Sequence, residues 1–293
     1  MKKLTLAALA LVAVAPLSAA NWSDTSLTIR RGNDYKEPGI AESVAKTYVA
    51  FSHVSGDNYG GNFFNVDMIK SDGNDPMNSE GPGTSGGAQE VYCTYKHNWS
   101  LSKLFGKKME FGPVRDVEFV AGFDYAAKNT RFAPAVYKLM AGPQFSFKVP
   151  GFLTVAALYY KEKNHNSFGT FNPVGHMDVT FDATYQIAAA WGINVPLGSV
   201  STVVKGFGTL TGAKGKDGSN VETKPETLVN LHWMFDFSEV VGTKKGSWLI
   251  GPGVQYWDNK FGDPTYEKDA VRPAGTVVNP RTKTLQFSIE YHF

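Results

Sequence analysis

The last ten residues, Thr284-Leu285-Gln286-Phe287-Ser288-Ile289-Glu290-Tyr291-His292-Phe293, alternate without a break. Leu285, Phe287, Ile289, Tyr291 and Phe293 fall on one parity, and Thr284, Gln286, Ser288, Glu290 and His292 on the other. In a β-strand, residues i, i+2 and i+4 share a face. The segment therefore reads as a strand with one apolar and one polar side, either a half-buried sheet strand or one stave of a barrel.

The same two-residue period recurs toward the N-terminus. Leu27 and Ile29 oppose Ser26, Thr28 and Arg30; Ala45, Thr47, Val49 and Phe51 oppose Lys46, Tyr48 and Ser52. Phe64, Val66 and Met68 oppose Asn65 and Asp67. Val91, Cys93 and Tyr95 oppose Glu90, Tyr92, Thr94 and Lys96. Val117, Phe119, Ala121, Phe123 and Tyr125 oppose Asp116, Glu118 and Asp124. Further strands are expected over 136–148, 152–162, 177–191, 200–211 (of mixed parity), 227–237 and 248–259, giving about twelve with the closing strand. The connections alternate in length. Val149-Pro150-Gly151 and 194–198 are short, whereas 71–87, 164–175, 213–225 and 261–281 are long and rich in Gly, Asp and Pro. Short turns on one side and longer loops on the other are the pattern of a membrane barrel. The connector 100–115 breaks it, and holds a short helix or marks a miscounted strand.

Composition agrees with a surface that does not wholly face water. Charged residues are 19% of the 293, below the ~25% usual in soluble domains, while aromatics reach 13% and glycines number 30. Mean hydropathy is nevertheless −0.23. Alternation reconciles the two, because a lipid-facing strand needs only every second side chain to be apolar.

Lys2 and Lys3, the apolar run Leu4 to Leu17 and the small residues Ser18-Ala19-Ala20 read as a secretory signal cut after Ala20. The mature chain, 21–293, is then a single domain carrying 27 basic and 27 acidic residues. That balance argues against a nucleic-acid partner. A lone Cys93 excludes an intrachain disulfide. No mature segment has the ~18 apolar residues of a spanning helix. The expected fold is thus all-β: one transmembrane antiparallel barrel with a polar lumen, surrounded by outer-membrane lipids. Ending on Phe293 after an alternating run resembles the closing-strand signal of bacterial outer-membrane barrels, whose insertion is assisted by the barrel-assembly machinery.

If the apolar parity faces lipid, the other lines the lumen and decides what passes. The expected pore-lining and solute-binding residues are Tyr48, Phe63, Asn65, Asp67, Glu90, Tyr92, Lys96, Asp124, Tyr160, Glu162, Asp178, Asp182 and Trp257. Acids and lysines are mixed there, so strong selection for either ionic sign is not expected. Aromatic faces stack on planar rings for roughly 1–3 kcal/mol each, and carboxylates or amides take hydroxyls and exocyclic amines. The plainer alternative is that the charges pair with one another and the aromatics plug a narrow interior.

Several blocks resemble the nucleoside-specific channel-forming outer-membrane proteins of the Tsx/OmpK type. They are Gly60-Gly61-Asn62-Phe63-Phe64-Asn65-Val66-Asp67, Gly112-Pro113-Val114-Arg115-Asp116-Val117, Val149-Pro150-Gly151-Phe152-Leu153, Tyr160-Lys161-Glu162-Lys163-Asn164-His165-Asn166, Gly212-Ala213-Lys214-Gly215-Lys216-Asp217-Gly218 and Gln255-Tyr256-Trp257-Asp258-Asn259-Lys260-Phe261-Gly262. The resemblance implies a monomeric twelve-stranded barrel with a narrow polar and aromatic channel for nucleosides in a Gram-negative outer membrane.

Two other functions compete with a selective, cofactor-free diffusion channel. One is a general porin or purely structural barrel. The other is a membrane-embedded phospholipase-like hydrolase, suggested by His165 and Ser167 on one parity, where an imidazole would accept the hydroxyl proton. Nothing in the sequence adds an oxyanion hole or a third residue, so no enzyme is expected. His165 and His176 lack the fixed spacing of a metal site.

Overall fold

The computed structural model describes residues 20–77, 83, 86–173, 175–265 and 281–293. The expected leader, 1–20, lies outside the described residues except for Ala20, as does most of the last long loop. The strands are β1 (Trp22–Tyr35), β2 (Val44–Gly56), β3 (Gly60–Ser71), β4 (Gln89–Ser100), β5 (Val114–Lys128), β6 (Ala135–Phe147), β7 (Gly151–His165), β8 (Asp178–Thr180), β9 (Thr184–Asn194), β10 (Thr202–Thr211), β11 (Glu226–Asp236), β12 (Trp248–Asp258) and β13 (Thr282–His292). A short helix, α1 (Leu101–Phe105), follows β4.

Each strand pairs antiparallel with its neighbour, and β1 pairs with β13, closing a ring of twelve with β8 as an appendage on β7. Closure pairs every strand of the ring on both sides, which is what a bilayer core demands of strands. Among the described residues no helix is long and apolar enough to cross a membrane. An even ring puts both chain termini at one end, here called the terminal end. Connections there include the tight turns 57–59 and 148–150, while the far end carries 72–88, 166–183, 212–225 and 259–281. Connector 101–113 is long because α1 occupies it. Ser100 Oγ accepts from Lys103 N to cap the helix, and Lys103 Nζ reaches Asp57 O at 2.6 Å, pinning α1 to the neighbouring turn. At the tight turn 148–150, Gly151 adopts φ 121°, and a Cβ there would lie 2.0 Å from Gly192 O, so the strand start needs glycine.

The barrel is apolar outside and polar inside. On β13, Thr282, Thr284, Gln286, Ser288 and Glu290 are buried inward, while Leu285, Phe287, Ile289 and Tyr291 are exposed outward. The register carries this parity round the ring, so Phe51, Met68, Val91, Phe119, Leu139, Tyr159, Ile187, Leu210 and Val254 also project outward. Outward aromatics gather at both ends. Trp99–Phe119, Trp233–Phe235 and Trp248–Tyr291 meet as tilted ring pairs toward the terminal end, and Tyr125–Tyr137 toward the far end. These are the positions of interfacial girdles.

One expected strand is broken. The stretch 177–191 divides into β8 and β9, which pair in turn with β7. Asp178 lies opposite His165 and Thr180 opposite Lys163, whereas Thr184 lies opposite Tyr160, so the intervening 181–183 shift the parity by one.

Candidate functional site

Among the described residues the inner wall gathers the polar chemistry in bulk, and the register decides which side chains reach it. Tyr48, Phe63, Asn65, Asp67, Glu90, Tyr92, Lys96, Asp124, Tyr160, Glu162 and Trp257 all point inward, as their strand parity predicts. Asp178 and Asp182 do not. Asp178 faces outward on β8, its Oδ1 2.7 Å from His165 Nδ1, and Asp182 is exposed in the break before β9. The parity shift at 181–183 is the reason.

The inward groups pair mainly with one another. Tyr92 Oη donates to Asp124 Oδ2 at 2.6 Å and accepts from Lys138 Nζ at 3.2 Å. Tyr160 Oη donates to Glu162 Oε2 at 2.7 Å, and Lys214, from the 212–225 loop, reaches the same carboxylate at 2.6 Å. Arg30 lies 4.3 Å from the Tyr48 ring centroid and 3.8 Å from Asp67. Asn65 donates to Asp67 at 3.1 Å. Lys205 holds Glu290 at 2.5 Å, and His292 adds a contact of 2.7 Å to Glu290. The plainer alternative, charges satisfying one another in a narrow interior, thus describes most of the wall. It also explains why so many formal charges are accommodated, since a buried ion needs a partner of opposite sign.

The far-end mouth holds a knot that parity does not foretell. Glu37, in the β1–β2 loop and 3% exposed, takes Lys46 at 2.7 Å, Lys128 at 3.2 Å and Lys260 at 2.6 Å. Lys128 also holds Asp75, from the β3–β4 loop, at 2.7 Å, and Lys46 reaches Glu90 at 3.6 Å. Three loops are thereby tied across the opening. Burial would raise the Glu37 carboxyl, but Lys128, Lys260 and Lys46 together hold it well below the usual range. Burial pulls Lys260 down to about 8 against the opposing charge of Glu37. Nearby, burial pushes Asp263 up to about 7, helped by Asp217. Lys260 Nζ also sits 4.4 Å from the Trp257 ring centroid, and Trp257 Nε1 donates to Glu226 at 2.5 Å. Glu37, Asp75, Lys214 and Lys260 escape sequence reading because they lie in loops, where no strand period applies. Lys46 and Lys128 are legible as inward by parity, but their common partner is not.

Further in, Val120, Met140, Ala156 and Leu158 form a buried apolar patch on the β5–β6–β7 wall. Phe207 and Phe63 face inward yet stay about two-fifths exposed, so they offer free ring faces to anything inside. Opposite Phe207 on β11 is Asn230, whose Oδ1, like Gln255 Oε1 and Gln286 Oε1 on the next strands, lacks a protein partner. At the terminal end a cavity of about 630 Å³ opens, lined by Asp24, Asn194, Val203, Asp236, Leu249 and His292 among others.

His165 Nδ1 lies 2.7 Å from Asp178 Oδ1 on the outer rim, and Ser167 precedes a 3-10 turn, its carbonyl accepting from Thr170 Oγ1; among the described residues no hydrogen bond joins the His165 and Ser167 side chains. Among the described residues no group of three or more His, Cys, Asp or Glu is placed to hold a metal ion.

No protein-family model matches the sequence, and neither does any curated protein. The nucleoside-channel likeness therefore stays a likeness of sequence blocks. Among solved structures, the translocator domain of the autotransporter NalP from Neisseria meningitidis is similar at 12% identity and TM-score 0.44, over 99% of this chain and 95% of that one. The β domain of the Bordetella autotransporter Brka has 8% identity and TM-score 0.38, over 92% and 99%. An anion-selective porin from Comamonas acidovorans has 10% identity and TM-score 0.32, over 92% and 97%.

Proposed function

We propose that the chain is a narrow passive channel of a bacterial outer membrane, oriented with its terminal end toward the periplasm, and selective for small polar solutes that carry a flat ring. Nucleosides are the class that fits this chemistry. The observation that carries the reading is the inner wall itself: ion pairs of both signs leave little net field, while Phe207 and Phe63 stay about two-fifths exposed on it. A neutral solute with a flat ring finds stacking surface there, and its hydroxyls and ring amines find acceptors among the carboxylates of the wall. Flux requires each contact to be weak, since a deep well delays release; millimolar affinity corresponds to about −4 kcal/mol.

Liposome swelling tests it. Adenosine is expected to enter faster than a sugar of similar mass, and nucleosides to block ion current at millimolar concentration. Equal entry of both solutes would leave a general pore. A second reading, a shut structural barrel, is favoured by the buried inner patch and the Glu37 knot; it requires that neither solute enters and that no current flows.

A further inference from the structure

The outward face carries its formal charges at one end. Outside the bulges on β1 and β5, the outward ionic residues of the ring strands are Arg31, Lys70, Lys161, Lys163 and Lys283, with a single acid, Asp258, which Arg281 holds at 2.8 Å. All lie in the last few residues of their strands before the far end. Their surroundings are apolar or aromatic. Lys161 and Lys163 stand beside exposed Leu139, Tyr137, Tyr159 and Tyr185. Lys283 lies opposite Tyr256, next to the pair Val254–Leu285, and these four line a groove of about 260 Å³ floored by Gln255 and Thr284. Leu285 is 77% exposed. Arg31, on β1 across β13 from the groove, lies opposite Phe287 and donates to Thr47 Oγ1 at 3.0 Å. Neither Lys163 nor Lys283 is ion-paired to a described residue.

A cation costs little at the edge of a bilayer but about 2–4 kcal/mol at its midplane. A predominantly basic collar at one edge therefore matches a layer of fixed anions at that depth. We propose that this collar binds the phosphorylated, multiply acylated glycolipid of the outer leaflet. An acyl chain lies in the Val254–Tyr256–Leu285 groove, one phosphate sits on Lys283 and the other on Arg31, four residues away along the β1–β13 ladder. The zwitterionic headgroup of phosphatidylethanolamine supplies no net charge for such a collar to neutralise. The leaflet assignment rests on the orientation proposed above; the collar itself does not.

The test is native mass spectrometry of the detergent-solubilised full chain titrated with diphosphoryl lipid A, lipid A stripped of its phosphates, phosphatidylglycerol and phosphatidylethanolamine. Diphosphoryl lipid A is expected to bind at least tenfold more tightly than the other three. The Arg31→Gln/Lys283→Gln variant should weaken it at least fivefold, Arg31→Lys/Lys283→Arg should retain it, and Lys107→Gln/Lys108→Gln at the terminal end should leave it unchanged. Heat-modifiable gel migration shows that each variant is a folded barrel. Unchanged affinity in the double Gln variant, or equal binding of the dephosphorylated form, overturns the site. Equal or tighter binding of phosphatidylglycerol overturns the glycolipid assignment. Orientation is read separately: cleavage of the 212–225 loop by protease on intact cells supports it, and cleavage only after permeabilisation refutes it while leaving the lipid titration valid.

Discussion

Glu37 is a single carboxylate holding three ammonium groups, so its removal should be felt out of proportion to its size. Glu37→Gln leaves Lys46, Lys128 and Lys260 facing one another in a buried mouth, and breaking a buried ion cluster on one side costs about 3–5 kcal/mol. The expected outcome is a lower unfolding midpoint in detergent together with larger or more frequent channel openings in a planar bilayer. Unchanged current and midpoint would show that the knot neither braces nor obstructs the opening. Two neighbours titrate near neutrality. Asp263, at about 7, acquires a negative charge as pH rises, and Lys260, at about 8, loses its positive one. The mouth thus becomes more negative between about pH 6 and 9, and cation permeability relative to anion should rise over that window. Lys260→Gln should remove the upper part of the rise. Stability moves in opposite directions at the two groups. The folded Asp263 keeps its proton above the free value of 3.8, so its contribution is present below that value and lost as pH rises through about 7. Lys260 is depressed from 10.5, so its burial penalty holds below about pH 8 and is relieved as pH rises toward the free value.

At the level of the strand, parity is the determinant, and substitutions should follow it. Phe287 stands mid-strand on the outer face of β13, so Phe287→Arg places a guanidinium against acyl chains at a cost of about 2–4 kcal/mol. Ser288→Thr, one residue on and inward, should cost far less. Chemical denaturation in phospholipid vesicles measures both, and equal losses would contradict the facing. The same rule explains what was legible beforehand. The inward assignment of Tyr48, Asp67, Tyr92 and Trp257 follows from uninterrupted alternation on their own strands, because a one-residue slip would turn every side chain over. Asp178 and Asp182 fail because three residues, 181–183, leave the ladder between β8 and β9 and shift the phase. Nothing in the apolar pattern of 177–191 marks that break. The Glu37 knot was illegible for a different reason: it joins loops distant in sequence, and only closure of the ring brings Glu37 and Lys260 together.

For the molecule as a whole, closure and two-sidedness act jointly. The ring removes every edge, the outer face takes the apolar residues, and the inner face can then be polar only if its charges are balanced, which the Lys205–Glu290, Lys214–Glu162 and Arg30–Asp67 pairs accomplish. That balance predicts weak ionic selectivity: the reversal potential in a tenfold salt gradient should lie near zero at pH 7, and a strongly displaced value would mean that an unpaired charge commands the bore. The most direct measurement of the whole arrangement is a cysteine scan of positions 284 to 291 in a Cys93→Ala background, each thiol carrying a nitroxide and the barrel reconstituted in lipid. Collision with dissolved oxygen should peak at 285, 287, 289 and 291, and contact with acyl chains should stay confined to these odd positions. A scan with no two-residue period, or with even positions meeting the lipid, would contradict the account at its root.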